Sequence, residues 1–307
     1  MRQPLQPVVL CGAVSPEREV SLRSGRAVAG ALPGCRLVEL ERNELPEWLD
    51  AARHVVIPVI HGDYGEDGAV QAELDARGIA YAGCEAAASR LCLDKVATKR
   101  VMRAAGVPAI PELAFAGAAK PTAAGLVAAL GPQVVIKPAD KGSSVGLYVV
   151  DGEAAIADVL AQIPPSGQWM AERRLQGREM SIGILGGEAM GLVEIVPRKG
   201  VYDYQSKYTK GSSDYIYPAP VPAELAARVR SAAEALFRAC GCRDFARADL
   251  FLEPDGHFYF LEINTMPGMT ETSLMPKSAS CAGLDFPALV QRMTAPVFAR
   301  AAERAAL

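Results

Sequence analysis

Residues 245–270 read FARADLFLEPDGHFYFLEINTMPGMT. The stretch is two β-strands joined by a tight turn, for which Glu253-Pro254-Asp255-Gly256 supplies the residues. With Asp255-Gly256 as a two-residue loop, Asp249 lies opposite Glu262 and Arg247 opposite Asn264. Strand alternation puts these four side chains on one face. Toward the turn that face continues through Phe251, Phe258 and Phe260. The other face, with Ala248, Leu250, Leu252, Tyr259, Leu261 and Ile263, is expected to be buried. Two carboxylates and an amide on a largely apolar sheet cost several kcal/mol if left unpaired. A hard cation is one partner, and Mg²⁺ suits one or two carboxylates completed by phosphate oxygens. An ordinary hairpin with a salt bridge from Arg247 is the other reading.

Working outward, the chain of 307 residues is 50% hydrophobic and 22% charged, enough for two or three packed domains. A net charge of -3 gives no bulk electrostatic basis for nucleic acid or a membrane surface. Seven cysteines without framework spacing read as buried free thiols in a reducing compartment. No apolar run matches a signal peptide or the roughly 18 residues of a membrane span, so a cytoplasmic protein is expected.

Upstream, Val8 to Gly12 is a buried strand, followed by a helix that Ser15 caps and Pro16 starts. Two further strands span residues 36–40 and 54–60. A Gly-rich loop, residues 60–68, closes the second of them, and a helix carrying Val70 and Leu74 follows. Ligands of open α/β sheets sit beyond the strand ends, where Glu17 and His61 fall. Residues 89–105 read as one helix with Asp94-Lys95 in its middle. Lys137 ends an apolar strand, where its ammonium meets an anion. The loop Asp140 to Gly146 reads either as a phosphate wrap of backbone N–H groups and hydroxyls or as a plain β-turn. Gln168 to Glu172 is a strand ending in a carboxylate, with Leu175 and Glu179 just beyond. Residues 197–213, polar and Tyr-rich, read as a lid. An amphipathic helix spans 224–240 ahead of the hairpin.

In order and spacing these motifs resemble the D-alanine–D-alanine ligase family of ATP-grasp enzymes. The resemblance rests on Ser15 to Leu22, His61-Gly62 with Gly65 to Gly68, Asp94-Lys95, Lys137-Pro138 and Gly142 to Gly146. Tyr202-Asp203-Tyr204 with Lys207-Tyr208, Leu261 to Thr265 and Pro267 to Thr270 complete it. It covers essentially the whole chain and implies an α/β, ATP-grasp fold with an N-terminal parallel-sheet domain. The implied units are residues 1–92, 93–175 and 176–307, with ATP between the last two.

The resemblance implies ligation of two D-alanines through an acylphosphate, for peptidoglycan precursors. It implies ATP and two Mg²⁺ ions held by Asp249, Glu262 and Asn264, with Mn²⁺ as a substitute and a monovalent cation as an optional activator. Lys95, Lys137 and, from the lid, Lys207 resemble phosphate-binding lysines. Glu172, Arg173, Leu175 and Glu179 resemble the adenine and ribose site. Glu17 and His61 would hold the first D-alanine, and Ser273 with the Leu274 N–H the carboxylate of the second. Glu17, Ser143 and Tyr208 would order the lid, while Arg247 and the Gly268 N–H stabilise the oxyanion. A homodimer is implied, with neither nucleic acid nor membrane as partner.

Three positions depart from or vary within the family's pattern. The loop Cys11-Gly12-Ala13-Val14 stands where two glycines are common, Arg173 where a lysine is common, and Ala246 where other small residues occur. A ligase with another acceptor, such as D-lactate, is the competing enzyme reading. Tyr208 argues against it, because lactate-preferring relatives tend to carry Phe there. A non-catalytic nucleotide-binding descendant would not need Arg247.

Overall fold

The computed structural model describes residues 4–140, 146–198 and 212–304. Three sheets carry the architecture. The first is parallel, with β1 (Gln6–Gly12) between β2 (Arg36–Leu40) and β3 (His54–Val59). Val8, Val9, Leu10 and Cys11 are wholly buried at its centre, as a continuous apolar run demands. The helix α1 (Arg18–Ala31) begins later than Pro16. Ser15 Oγ does not cap it. The hydroxyl accepts from the Glu17 N–H at 2.9 Å and donates to the His61 carbonyl at 2.8 Å, tying the two loops above the sheet together. The Gly-rich loop leads into α2 (Asp63–Glu66) and α3 (Ala69–Ala76). Any Cβ on Gly65 would stand 1.8 Å from the Ile60 carbonyl oxygen, so only glycine fits there.

The second sheet is antiparallel, in the order β4 (Glu112–Ala116), β7 (Gln168–Arg173), β5 (Gln133–Pro138), β6 (Tyr148–Asp151). Leu126 of α6 (Ala123–Leu130) and Ile156 of α7 (Glu153–Gln162) pack on Val134, Ile136 and Ala171. Strand β4 leads through a short turn into α6. The single helix expected over 89–105 is two, α4 (Ala86–Leu93) and α5 (Lys95–Ala104). Asp94 leaves the helical region (φ -77, ψ 100) and accepts from the Ala97 N–H at 2.9 Å, capping α5. The break puts Lys95 at the first position of a new helix rather than in mid-helix.

The third sheet is also antiparallel, in the order β10 (Ser213–Ile216), β9 (Glu188–Pro197), β8 (Arg178–Leu185), β11 (Phe245–Leu252), β12 (Phe258–Asn264). One face packs on α8 (Ala223–Ala239) through Val229, Ala233, Leu236 and Phe237. The helices α9 (Leu274–Cys281) and α10 (Phe286–Arg304) close the chain, and Met275 and Val290 pack with Val9 and Ile57 of the first sheet. The seven cysteines are free thiols, with Cys92 and Cys242 Sγ atoms 3.8 Å apart. Among the described residues no helix is long and apolar enough to cross a membrane.

The β11–β12 hairpin corrects the sequence reading in one respect and upholds it in another. Asp249 does lie opposite Glu262 and Arg247 opposite Asn264. The loop, however, has three residues, Pro254-Asp255-Gly256. The Gly256 N–H bonds the Glu253 carbonyl, the Glu253 N–H bonds the His257 carbonyl, and Gly256 is left-handed at φ 84. A register shift after Asp249 passes over Leu261 and restores the pairing at the carboxylates. Between bulge and turn the faces of β12 are therefore exchanged, while those of β11 are as expected. Phe258 (6% exposed) and Phe260 (0%) join Leu250 and Leu252 in the core, while Tyr259 and Leu261 are half-buried.

Candidate active site

A cleft opens where the first and third sheets face α4–α5, and Glu17, His61, Lys95, Arg247, Glu262, Asn264, Gly268, Ser273 and Leu274 line it. Its floor is the hairpin. Arg247 donates from Nε to Asp249 Oδ1 at 2.9 Å and from Nη2 to Oδ2 at 2.7 Å. Ser181, opposite Asp249 on β8, donates a third bond at 2.7 Å. One strand over, Glu262 Oε2 stands 3.5 Å from Lys95 Nζ. Asn264 Oδ1 accepts from the Met266 N–H at 2.8 Å, which fixes the amide. Among the described residues no three His, Cys, Asp or Glu side chains gather as for a metal ion. Two carboxylates and an amide are nonetheless an all-oxygen donor set of the kind Mg²⁺ uses together with phosphate and water.

The wall from the first sheet carries Glu17 and His61, both buried. His61 Nδ1 is 3.7 Å from Glu66 Oε1, and its Nε2 is 3.4 Å from Ser24 Oγ. Ser24 Oγ also accepts from the Met269 N–H at 3.1 Å, tying the histidine to the loop after β12. Burial pushes the Glu66 carboxyl up, the charge of Glu17 adds to this, and the bond to His61 opposes it. Glu66 and Ser24 were not singled out from sequence. Glu66 stood in plain view within Gly65-Glu66-Asp67-Gly68, but nothing there showed that it faces His61.

The opposite rim is the loop into α9. Ser273 Oγ accepts from the Thr270 N–H at 2.9 Å, and the Ser273 N–H bonds the Thr270 carbonyl at 3.0 Å. Leu274 opens α9, so its N–H is one of the groups a helix start leaves for an anion. A Cβ on Gly268 would stand 2.9 Å from Ser273 Oγ, which keeps backbone and hydroxyl close.

Lys137, Glu172, Arg173, Leu175 and Glu179 lie outside this lining, on or beside the second sheet and β8. Lys95 joins the two groups, since its N–H donates to the Ala139 carbonyl, just past β5, at 3.0 Å. Glu172 is 2% exposed. Its oxygens meet Lys137 Nζ at 2.7 Å and Lys99 Nζ at 2.5 Å. Burial acts to raise the Glu172 carboxyl, but the two ammonium groups outweigh it and hold it at about 2. Lys99 was not read from sequence, although its spacing of four from Lys95 puts both on one side of α5. The Arg173 guanidinium lies 5.5 Å from the Tyr259 ring and 3.5 Å from Glu253, and Leu175 is buried. Glu179 pairs with Phe251 across β8–β11. Ser143, Lys207 and Tyr208 lie outside the described residues.

Residues 101–295 match the family described as D-ala D-ala ligase C-terminus. The chain is 42% identical to a D-alanine–D-alanine ligase of Anaeromyxobacter, covering 93% of this chain and 94% of that one. It is similar to the crystal structure of D-alanine–D-alanine ligase from Bacillus anthracis complexed with ATP. That likeness has a TM-score of 0.83 at 29% identity and covers 98% of this chain and 99% of that one. It is also similar to the VanG D-Ala:D-Ser ligase of Enterococcus faecalis, with a TM-score of 0.80, 26% identity, and 96% and 100% coverage. With a parallel sheet ahead of two antiparallel ones and a cleft between them, the chain is an ATP-grasp protein and belongs to the D-alanine–D-alanine ligase family.

Proposed function

We propose that this chain joins two D-alanines to D-alanyl-D-alanine, converting ATP to ADP and phosphate, in the cleft floored by the β11–β12 hairpin. The observation that carries the reading is the convergence there of Arg247, Glu262 and Asn264 with Glu17, His61, Gly268 and Ser273. Family membership supports the same reaction.

Glu17 and His61 bind the ammonium and carboxylate of the first D-alanine. That carboxylate takes the γ-phosphoryl group and becomes an acylphosphate. Ser273 Oγ and the Leu274 N–H bind the carboxylate of the second D-alanine, and its neutral amine attacks the acylphosphate carbonyl. Arg247 spends two of its five N–H donors on Asp249. Its guanidinium and the Gly268 N–H face the oxyanion that develops, and phosphate leaves as the amide forms. Asp249, Glu262 and Asn264 fit two Mg²⁺ ions, which when bound neutralise charge on the β- and γ-phosphates. Lys95 and Lys137 meet the phosphates from the other side, and Arg173, Leu175 and Glu179 frame the nucleoside.

The three units 1–92, 93–175 and 176–307 meet at this cleft in the proposal, with ATP between the last two. A cytoplasmic homodimer feeding peptidoglycan synthesis is the setting that the family supports. Phosphate release from ATP with D-alanine is the deciding assay. Product analysis with D-alanine, D-serine and D-lactate together separates the acceptors. Absence of D-alanyl-D-alanine would overturn the proposal.

A further inference from the structure

We propose that Lys99 is a positioning residue for ATP: it is the standing counter-ion of Glu172 and so releases Lys137 to meet phosphate. The inference rests on the proposed ATP site and adds a residue and a charge exchange to it. Three charges run from the interior to the cleft. The side chains of Lys99, Glu172 and Lys137 are 0%, 3% and 12% exposed in that order. The carboxylate in the middle touches both ammonium groups, one on each oxygen. Lys99 comes from α5, Glu172 from the strand β7 inside its sheet, and Lys137 from the end of β5. Register places Glu172 beside Val135, so Lys137 lies two residues further along the same face.

The three groups sum to one positive charge, and only Lys137 can turn outward. A Lys137–Glu172 pair alone would be neutral and closed. Phosphate could claim Lys137 only by leaving a buried carboxylate unpaired, a large penalty. With Lys99 in place, Glu172 keeps a partner when Lys137 turns away, and the net positive charge meets the nucleotide. Burial pushes the Lys99 ammonium down and Glu172 opposes this, so the two buried groups stabilise each other's charged forms. Lys99 also sits one helical turn beyond Lys95, whose ammonium faces Glu262. The same helix therefore serves the hairpin at its first residue and the nucleotide strand four residues later.

The test is a double-mutant cycle read by calorimetric binding of a non-hydrolysable ATP analogue to wild type, K99M, E172Q and K99M/E172Q. Acting through Glu172, K99M weakens binding about tenfold in the wild-type background and less than about twofold in the E172Q background. K99R recovers most of the loss, and the D-alanine KM at saturating ATP stays within about twofold throughout. Equal losses from K99M in both backgrounds, or unaltered binding by K99M, would overturn the inference. If K99M fails to fold, K99R and the comparison of E172Q with K99M/E172Q decide: a loss of more than about tenfold on adding K99M to E172Q overturns it. Wild type that binds the analogue but releases no phosphate with D-alanine would overturn the proposed function and leave this inference standing.

Discussion

Arg247 grips both carboxylate oxygens of Asp249, two residues along the same strand, with bonds of 2.9 and 2.7 Å. The pair is almost fully enclosed, so each charge is the other's neutraliser and the guanidinium plane is fixed over the cleft floor. Arg247→Ala is expected to lower kcat by about 10²–10³, the usual loss of one oxyanion donor. ATP binding should change little. Steady-state phosphate release and a separate ATP titration make the check, and full activity would remove Arg247 from the chemistry.

Glu262 is 28% exposed at its side chain, faces Lys95, and shares the cleft floor with Asn264. Glu262→Gln keeps the size and removes one negative donor. The Mg²⁺ concentration for half-maximal activity should rise, while activity partly returns at high Mg²⁺. An unchanged Mg²⁺ titration would exclude Glu262 as the group that holds the metal.

Lys277 of α9 donates to the Glu271 carbonyl at 3.0 Å and lies 4.6 Å from the Tyr215 ring centre. Burial lowers its ammonium from 10.5 to about 8. Between those values the unfolded chain holds a proton that the folded chain does not. This group therefore adds stability as pH rises from 8 to 10.5 and costs stability at neutral pH. Urea unfolding across that window should show the rise in wild type and a flatter profile in Lys277→Met. Parallel profiles would show that Lys277 titrates normally.

The exchanged faces of β12 give a stability test. Phe260→Ala, in the core, is expected to cost about 3–5 kcal/mol. Leu261→Ala, at the bulge, should cost about 1 kcal/mol or less. Chemical denaturation measures both. The reverse order would restore the two-residue turn and the uninterrupted register.

Ala13 has φ 64, the left-handed region, and its N–H donates to the Leu40 carbonyl at 2.8 Å. Ala13→Gly removes a strain of about 1–2 kcal/mol against a smaller loss of chain entropy. A modest rise in Tm with retained activity is expected, and a fall would show that the methyl's burial outweighs the strain.

Much of this cleft was legible because its residues sit at strand ends and turns, where polar side chains interrupt apolar runs. Glu17 and His61 are of that kind, and Glu262 was read as a carboxylate interrupting an apolar hairpin strand, whereas Lys95 and Ser273 came only through the family resemblance. The bulge was not legible: Phe258, Phe260 and Glu262 alternate without a break, so nothing in the spacing shows a skipped residue. The opposition of Asp249 and Glu262 was reached through a two-residue turn. It holds because a longer turn and the bulge cancel. The break at Asp94 had a local signal, since Asp followed by a helical run is a common cap. The partnership of Lys99 with Glu172 had none, because it joins residues 73 positions apart through the fold alone.

The β11–β12 ladder has a practical corollary for engineering the chain. The tip at Pro254-Asp255-Gly256 lies several ladder pairs away from the carboxylates, so a module carried outside the paired strands leaves Glu262 set against Asp249 by the ladder itself. Exposed, polar and closed by two backbone bonds, the tip is the natural place to open the backbone between Asp255 and Gly256. New termini or a reporter module placed there would lie beyond Glu253, whose carboxylate stands beside Arg173. Such an insertion would report on the nucleotide side of the cleft from outside it.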